Sequence, residues 1–330
     1  MKTNLRGRHF ITDQEWSNEE LWMAWDLAFE LKMKFALGQK TKLLEDKTLF
    51  MIFFDNSTRT RNSFEAGMTQ LGGHAHFLTP NVMQISHGEN AKDTGTILSS
   101  YGHGIAVRHC AYKQGNPYIR EIAKYSRGPV INMQCDEYHP CQVLADYMTI
   151  VEKFGRNTKG LKIGVSWTSA PNYVRPLSVP VSLALLMPRM GIDTVLAYPP
   201  EFKLQPQFEK LAAENAKEYG SNFKISYEQE DAFRGCDIVI PKSWGPLVHM
   251  EEKNLDQKAG LDLIKKYPTW KATTKMMDLT NKHSIYMHPL PADRGYEVEE
   301  AVIDGPHSVV YDEAENRLHV QKAIMALTMA

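Results

Sequence analysis

The sequence is poor in the features that mark secreted, disulfide-stabilised proteins. It has only four cysteines in 330 residues, and no two of them form a C-x-x-C pair. In a chain of this length such thiols are typical of a reducing compartment. We therefore expect free thiols and a cytoplasmic protein. The cysteines are Cys110, Cys135, Cys141 and Cys236.

A charge excess and long apolar runs are also missing. The 38 Lys and Arg residues balance 39 Asp and Glu residues, which gives a formal net charge of −1. No basic bias indicates binding to nucleic acid or to an anionic membrane. No apolar run is long enough to span a membrane, and Met1–Arg6 lacks the apolar core of a signal peptide. We expect neither nucleic acid nor a membrane as a partner.

Cofactor motifs are missing as well. Neither half of the chain has the G-x-G-x-x-G fingerprint of dinucleotide-binding proteins, so a nicotinamide cofactor is not expected. Histidines are plentiful but do not occur at metal-ligand spacing. We predict no metal site and no cofactor.

The chain does contain apolar strands that alternate with amphipathic helices. This alternation predicts parallel sheets with right-handed crossovers, and the length suggests about two domains. We therefore predict an α/β fold with two doubly wound parallel-sheet domains, 1–150 and 151–309. The predicted strands are 49–54, 73–78, 104–107, 129–133, 161–167, 194–198, 223–226, 237–241 and 284–287. The predicted helices are 14–37, one that begins near Ser57 and stops at Gly72, one from about residue 90, 140–154, 181–190, 206–219 and 312–326.

The most informative stretch is residues 53–61, Phe-Phe-Asp-Asn-Ser-Thr-Arg-Thr-Arg. It follows a buried strand and precedes a helical pattern, which predicts a helix N-terminus near Ser57. Free backbone N–H groups and the helix dipole favour an anion at such a position. The candidate ligands are Ser57, Thr58, Arg59 and Thr60, with Arg61 as the alternative arginine. The competing interpretation is a Ser/Thr N-cap followed by two solvated arginines.

Two further strand ends carry polar side chains. Arg108 ends the strand 104–107, and His139 and Gln142 open the helix that follows the strand 129–133. Ligands in open α/β sheets bind beyond the carboxyl ends of the strands. The three strand ends together therefore predict one anion site at one edge of one sheet.

These motifs resemble those of the aspartate/ornithine carbamoyltransferase family. The Ser-Thr-Arg-Thr-Arg sequence is similar to the carbamoyl-phosphate motif of that family, and four further motifs follow in the family's order. They are Arg108, His139–Gln142 with Leu144–Asp146, His288–Pro291 and Arg317.

The resemblance implies an architecture and an assembly. The two α/β domains would enclose a cleft, and a C-terminal helix, 310–330, would pack back on the first domain. The protein would be a homotrimer with active sites shared between subunits. The loop around His87 would then reach into the neighbouring subunit's site, although by composition alone it is a solvated tip.

The resemblance also implies a role for each residue of the predicted site. An amine attacks the carbamoyl carbon, an oxyanion develops and phosphate leaves, so the protein must position two reactants and stabilise charge. Arg108 would bridge the phosphate and the carbonyl oxygen, and His139 would donate to that oxygen. The phosphate itself would be held by Ser57, Thr58, Arg59 and Thr60.

Three more residues would complete the carbamoyl-phosphate site. Gln142 and the carbonyl of Leu290 would hold the carbamoyl NH₂ group, and Arg317, from the second half of the chain, would close over the site. The leaving phosphate would accept the proton of the attacking amine. No metal and no covalent intermediate are needed.

The sequence departs from the two best-known branches of the family. Ornithine carbamoyltransferases have Cys where this chain has Pro289, and their Ser-Met-Gly loop is not found here. Aspartate carbamoyltransferases have a Lys where this chain has His87–Glu89. They also have an arginine-rich, aspartate-binding stretch where this chain has Pro241–Trp244. The segments 171–180, 242–245 and 315–319 are similar to the knotted branch, which includes N-acetylornithine and N-succinylornithine carbamoyltransferases and an uncharacterised subgroup. That similarity implies a knot in the second domain.

The acceptor is expected to be an amino acid derivative with a carboxylate and a free amine, with an N-acylornithine as the first candidate. Lys242 or Arg294 would pair with the carboxylate. For Trp244 the alternative is core packing, and for Arg294 it is a local ion pair with Asp293 or Glu297. The predicted acceptor-binding residues are His87, Asp136, Lys242, Trp244 and Arg294.

Other functions remain open at this point. Ornithine or aspartate could be the acceptor, or the enzyme could run in the catabolic direction as phosphorolysis of a ureido compound. A hypothesis from another class is a non-catalytic, anion-sensing regulatory subunit.

Overall fold

The structure is a computed structural model that describes residues 4–172, 175–249 and 257–330. The chain divides into two compact units, Met1–Met148 with Glu315–Ala330, and Thr149–Ala314. Each unit contains one entirely parallel sheet. The predicted α/β fold with two parallel sheets is confirmed.

The first unit has a four-stranded sheet in the order β2-β1-β3-β4. Its strands are β1 (Thr48–Phe53), β2 (His74–Leu78), β3 (Gly104–His109) and β4 (Val130–Cys135). Its helices are α1 (Asn18–Ala36), α2 (Thr58–Gln70), α3 (Ala91–Tyr101), α4 (Gly115–Tyr125) and α5 (Pro140–Phe154), which continues into the second unit.

Local sequence signals explain where several of these elements begin. Ser17 and Glu20 form a capping box at the start of α1, in which each side chain accepts from the other's backbone N–H. Pro140 occupies the first position of α5, where the absence of an N–H costs nothing. Every residue of β4 is buried, as expected of a strand in a parallel sheet.

The second unit has a five-stranded sheet in the order β7-β6-β5-β8-β9. Its strands are β5 (Lys162–Trp167), β6 (Asp193–Ala197), β7 (Phe223–Ser226), β8 (Ile238–Lys242) and β9 (Ile285–Tyr286). Its helices are α6 (Ser178–Arg189), α7 (Pro206–Tyr219), α8 (Gln257–Ile264), α9 (Thr274–Met277) and α10 (Glu300–Ile303). The last helix, α11 (Val310–Met329), begins in the second unit and ends in the first.

The sequence prediction missed α4 and the three short helices α8, α9 and α10. Residues 173 and 174 of the proline-bearing loop lie outside the described residues, so the predicted knot remains a prediction. All four cysteines are free. None of the helices in the described part of the chain is both long and apolar enough to cross a membrane.

Candidate active site

The turn after β1 is shaped by Ser57, which is the N-cap residue of α2. Its backbone is extended, with φ −156° and ψ 119°, and its hydroxyl oxygen accepts from the backbone N–H of Thr60 at 3.2 Å. The capping interpretation of the sequence is therefore correct as a description of Ser57. It does not oppose the anion-site prediction, because an N-capped helix still directs N–H groups and its positive dipole end toward the turn.

The two arginines of the motif have different surroundings. Arg61 lies over the ring of Phe77 at 3.7 Å, and its Nε is 3.5 Å from a carboxylate oxygen of Glu65. Arg59 is half-buried, and its charge lowers the pKa of His139 and of Arg317. Of the two alternatives left open by the sequence, the structure brings Arg59 toward the predicted site.

Arg108 enters the site from β3, which lies between β1 and β4 in the sheet. The register of β3 against β4 shifts between Val107 and Arg108, so that Arg108 is opposite Gln134. Irregularities of this kind redirect side chains at strand ends. The guanidinium Nη1 donates to the side-chain oxygen of Gln134, whereas Nε is buried without a hydrogen-bond partner among the described residues.

His139 lies just before α5 and is only 5% exposed. Burial lowers the pKa of its imidazole well below the ordinary value, and the positive charges of Arg317, Arg108 and Arg59 lower it further. The ring is therefore neutral at physiological pH. A neutral imidazole can donate one hydrogen bond without adding charge to the site.

Arg317 comes from α11 and is 2% exposed within the first unit. Its Nη1 donates to Gln142 Oε1 at 2.5 Å and its Nη2 to Thr60 Oγ1 at 3.1 Å. With its amide turned so that the oxygen faces the guanidinium, Gln321 accepts from Nε at 3.1 Å and from Nη2 at 3.0 Å. Burial, together with the charges of Arg108 and Arg59, lowers the pKa of Arg317 to about 10.

The first unit thus gathers three guanidinium groups around one neutral imidazole. Asp146 is a nearby buried carboxylate, and one of its oxygens accepts from Gln142 Nε2 at 2.7 Å. Like charges that lie close together in a buried setting repel each other unless an anion joins them. The arrangement is therefore suited to a small, highly charged anion such as a phosphate ester or anhydride.

Asp136, predicted to bind the acceptor, accepts hydrogen bonds from backbone N–H groups in the structure. One carboxylate oxygen accepts from the N–H of Lys113 and the other from that of Asn116, both at 2.7 Å. Asp55, which was not predicted as a site residue, accepts from the N–H of Cys110 at 2.7 Å. Both carboxylates thus stabilise the conformation of the segment that follows Arg108.

Lys242, at the end of β8, is buried and already has an internal counter-ion. Its ammonium group is 2.8 Å from Glu297 Oε1, and Glu297 is 0% exposed. This differs from the expectation that Lys242 would pair with a substrate carboxylate. The physical reason is that a buried ammonium group needs a neighbouring negative charge in the folded protein itself.

Two other predicted acceptor residues also have internal roles. Arg294 forms an ion pair, as the alternative interpretation expected, but its partner is Asp304, with Nη2 2.8 Å from Oδ1. Trp244 is 0% exposed, and its indole N–H donates to the carbonyl of Phe202 at 2.7 Å. The packing alternative therefore describes Trp244, and its ring cannot be a pocket wall while it is buried in this way.

The remaining predicted residues lie on turns. His87 is exposed at the end of the short 3-10 helix Gln84–His87. Leu290 has a left-handed backbone, φ 49°, and its N–H donates to Nδ1 of His288 at 2.9 Å. The structure places Leu290, Lys242, Trp244 and Arg294 in the second unit, and the other predicted residues in the first.

The sequence predicts Glu297 only as an alternative partner of Arg294 and does not predict Arg175, whereas the structure places both in one ion-pair cluster with Lys242. Glu297 lies in Tyr-Glu-Val-Glu-Glu, a charged run whose composition suggests a solvated surface. Nothing local distinguishes the one glutamate that is fully buried. The only indication of a buried glutamate is chemical, because a buried Lys242 requires an acidic partner.

Comparisons with known proteins match both halves of the chain to one family. Residues 8–152 match the family described as "Aspartate/ornithine carbamoyltransferase, carbamoyl-P binding domain". Residues 177–328 match the family described as "Aspartate/ornithine carbamoyltransferase, Asp/Orn binding domain".

Individual relatives are similar over the whole chain. The ornithine carbamoyltransferase of Carboxydothermus hydrogenoformans is 36% identical over 329 residues, which is 100% of both chains. The solved structure of ornithine carbamoyltransferase from Pyrococcus furiosus has a TM-score of 0.88 and 37% identity, covering 99% of this chain and 98% of that one. A structure of acetylornithine transcarbamylase complexed with acetylcitrulline has a TM-score of 0.89 and 32% identity, covering 98% and 99%. The chain belongs to the aspartate/ornithine carbamoyltransferase family.

Proposed function

We propose that the protein binds carbamoyl phosphate in its first unit and transfers the carbamoyl group to the amine of an amino acid derivative, releasing phosphate. The observation that carries this proposal is the neutral His139 surrounded by Arg59, Arg108 and Arg317. Guanidinium groups bind phosphate oxygens through paired, charge-assisted hydrogen bonds. A neutral imidazole among them can donate to a developing oxyanion.

Each member of the cluster has a separate task in this mechanism. Arg59 and the N-terminus of α2 bind the phosphate, together with the hydroxyls of Ser57, Thr58 and Thr60. Arg108 bridges the phosphate and the carbonyl oxygen, and His139 donates to that oxygen as the amine attacks. Gln142, held between Arg317 and Asp146, orients the carbamoyl NH₂ group with the carbonyl of Leu290. The phosphate leaves with the proton of the amine.

We propose an N-acylornithine as the first candidate for the acceptor. Support comes from Pro289, which replaces the Cys of ornithine carbamoyltransferases, from the missing Ser-Met-Gly loop, and from the likeness to acetylornithine transcarbamylase. Ornithine itself is the second candidate, because relatives at 36–37% identity bear the name ornithine carbamoyltransferase. The burial of Trp244 and the pairing of Lys242 remove two of the arguments for an acyl pocket.

The test is phosphate release from carbamoyl phosphate in the presence of a panel of amines. The panel contains ornithine, N-acetylornithine, N-succinylornithine and aspartate, each at the same concentration. We expect the highest kcat/KM with an N-acylornithine. Efficient turnover of ornithine instead would support the second candidate, and no turnover with any amine would contradict the assigned reaction.

A further inference from the structure

A buried carboxylate in the second unit connects two segments that carry predicted substrate contacts. Oε1 of Glu297 accepts from the backbone N–H of Ser243 at 2.8 Å and pairs with Lys242 Nζ at 2.8 Å. Oε2 accepts from the backbone N–H of Asp293 at 2.8 Å. One oxygen thus holds the segment that follows β8, and the other holds the turn that follows β9.

His288 and its neighbours fix the orientation of the same turn. Nδ1 of His288 accepts from the N–H of Leu290, so in the neutral ring the proton is on Nε2, which faces Glu297 Oε2 at 3.4 Å. Burial lowers the pKa of His288, although Glu297 opposes this effect, and the ring is neutral at physiological pH. The N–H of His288 donates to the buried carboxylate of Glu313 at 2.7 Å.

Arg175 holds the turn from another side. Its Nη1 donates to the carbonyl of Pro291 at 2.8 Å, and its Nη2 is 2.5 Å from Asp293 Oδ2. The same guanidinium is 3.6 Å from Glu297. Lys242 and Arg175 balance Glu297 and Asp293, so the local formal charge of these four side chains is zero.

Stability alone is a weak reason for such a cluster. Burial of an ion pair contributes little net stability, and apolar residues of similar volume often serve as well. A carboxylate whose two oxygens accept hydrogen bonds from two segments also fixes the distance between those segments. Chemistry between two bound reactants is sensitive to errors of about 1 Å in position.

We propose that Glu297 is a positioning residue for carbamoyl transfer, whose carboxylate fixes the segment carrying Lys242 relative to the turn carrying Leu290. This inference rests on the proposed function, because it concerns the turn that presents the Leu290 carbonyl. Glu297 touches neither reactant and acts through the two segments. The proposed ligands of the phosphate group belong to the first unit, so we expect the affinity for inorganic phosphate to be independent of Glu297.

The experiment compares Glu297→Gln and Glu297→Asp with Glu299→Gln as the matched control. Glu299 also accepts from a backbone N–H, that of Thr274 at 2.9 Å, but among the described residues no side-chain hydrogen bond or ion pair joins it to Glu297, Lys242 or Arg175. Glu297→Asp keeps the negative charge, but its side chain is one methylene shorter and cannot reach both segments. We expect both Glu297 variants to lose about 10²-fold in kcat, with the control near the wild-type value.

The Kd for inorganic phosphate, measured by titration calorimetry, should stay within about twofold of wild type in all variants, a change of less than about 0.5 kcal/mol. Variants that melt earlier but keep the wild-type kcat would show a structural role only and overturn the inference. Recovery of kcat in Glu297→Asp would show that charge balance is sufficient and would also overturn it, as would loss of folding in both Glu297 variants. A wild-type enzyme without turnover on any acceptor would overturn the proposed function as well.

Discussion

Individual side chains in this protein are distinguished by their partners and not by their type. Arg59 and Arg61 are two residues apart and identical in chemistry. Arg61 stacks on Phe77 and pairs with Glu65, while Arg59 is directed to the group of His139 and Arg317. The pair therefore provides a variant and its control within one motif.

Arg59→Ala should weaken the binding of carbamoyl phosphate by about 1.5–3 kcal/mol, since it removes a charge-assisted contact to the phosphate. This corresponds to a roughly ten- to hundredfold higher Kd in titration calorimetry. Arg61→Ala should change the Kd by less than about twofold, that is, by less than about 0.5 kcal/mol. An equal loss in both variants would contradict the assignment of Arg59.

His139 should make the stability of the protein depend on pH. Its pKa is lower in the folded state than the ordinary 6.5, because burial and three arginines disfavour the charged ring. Below about pH 6.5 this histidine binds a proton in the unfolded chain but not in the folded chain. It therefore lowers the free energy of unfolding as pH falls from about 7 to 5. At neutral pH and above it has no such effect.

His139→Gln should therefore reduce the loss of stability between pH 7 and pH 5, by up to about 1.4 kcal/mol per pH unit below 6.5. Urea denaturation at several pH values measures the slope. An unaltered slope in His139→Gln would show that the ring is charged in the folded protein.

At the level of secondary structure, the predicted site residues lie at the ends of strands, and carboxylates hydrogen-bond to the backbone of the loops that follow these strands. Asp136, just after β4, holds the loop between β3 and α4 through the N–H groups of Lys113 and Asn116. This loop also depends on Gly115, because a Cβ atom there would lie 1.8 Å from the carbonyl oxygen of His109. Arg108 therefore lies on a strand, β3, whose following loop is held in one conformation by these contacts.

Asp136→Ala should lower the free energy of unfolding by about 2–3 kcal/mol, because it leaves buried N–H groups without an acceptor. Thermal or urea denaturation provides the measurement. Asp262→Ala, which removes exposed ion pairs with Lys258 and Lys265, should leave the melting temperature close to that of the wild type. If Asp136 served the acceptor, as the sequence suggested, the variant would instead raise the acceptor KM and spare stability.

For the whole molecule, we predict a homotrimer in which neighbouring subunits share active sites. His87, exposed on its short helix, would serve the site of an adjacent subunit. Mixed His87→Ala and Arg59→Ala chains should regain part of the activity that each lacks alone, since some interfaces would combine two intact halves. Light scattering checks the mass, and a monomer, or a mixture without recovery, would contradict the prediction.

Much of the secondary structure could be predicted from local patterns. The helix predicted at 206–219 and the strand at 223–226 coincide with α7 and β7, since helical periodicity and glycine stops are properties of the chain itself. The helix α4 escaped prediction. Its first turn contains Gly115 and Pro117, which suggest a loop, and its position is set by the bonds to Asp136.

Local sequence patterns are sufficient to predict the two parallel sheets and the strand ends where Ser57, Arg108 and His139 lie. These follow from short-range periodicity, capping and the order of elements. Which side chains pair depends on the tertiary structure: Lys242 and Glu297 form one ion pair, Arg294 and Asp304 form another, and Arg317 donates to the amide of Gln142. The partners are 55, 10 and 175 residues apart in sequence. No local pattern specifies such a pairing, because the partners lie in different segments of the chain, and the energy of a buried charge such as that of Lys242 depends on what other segments place beside it.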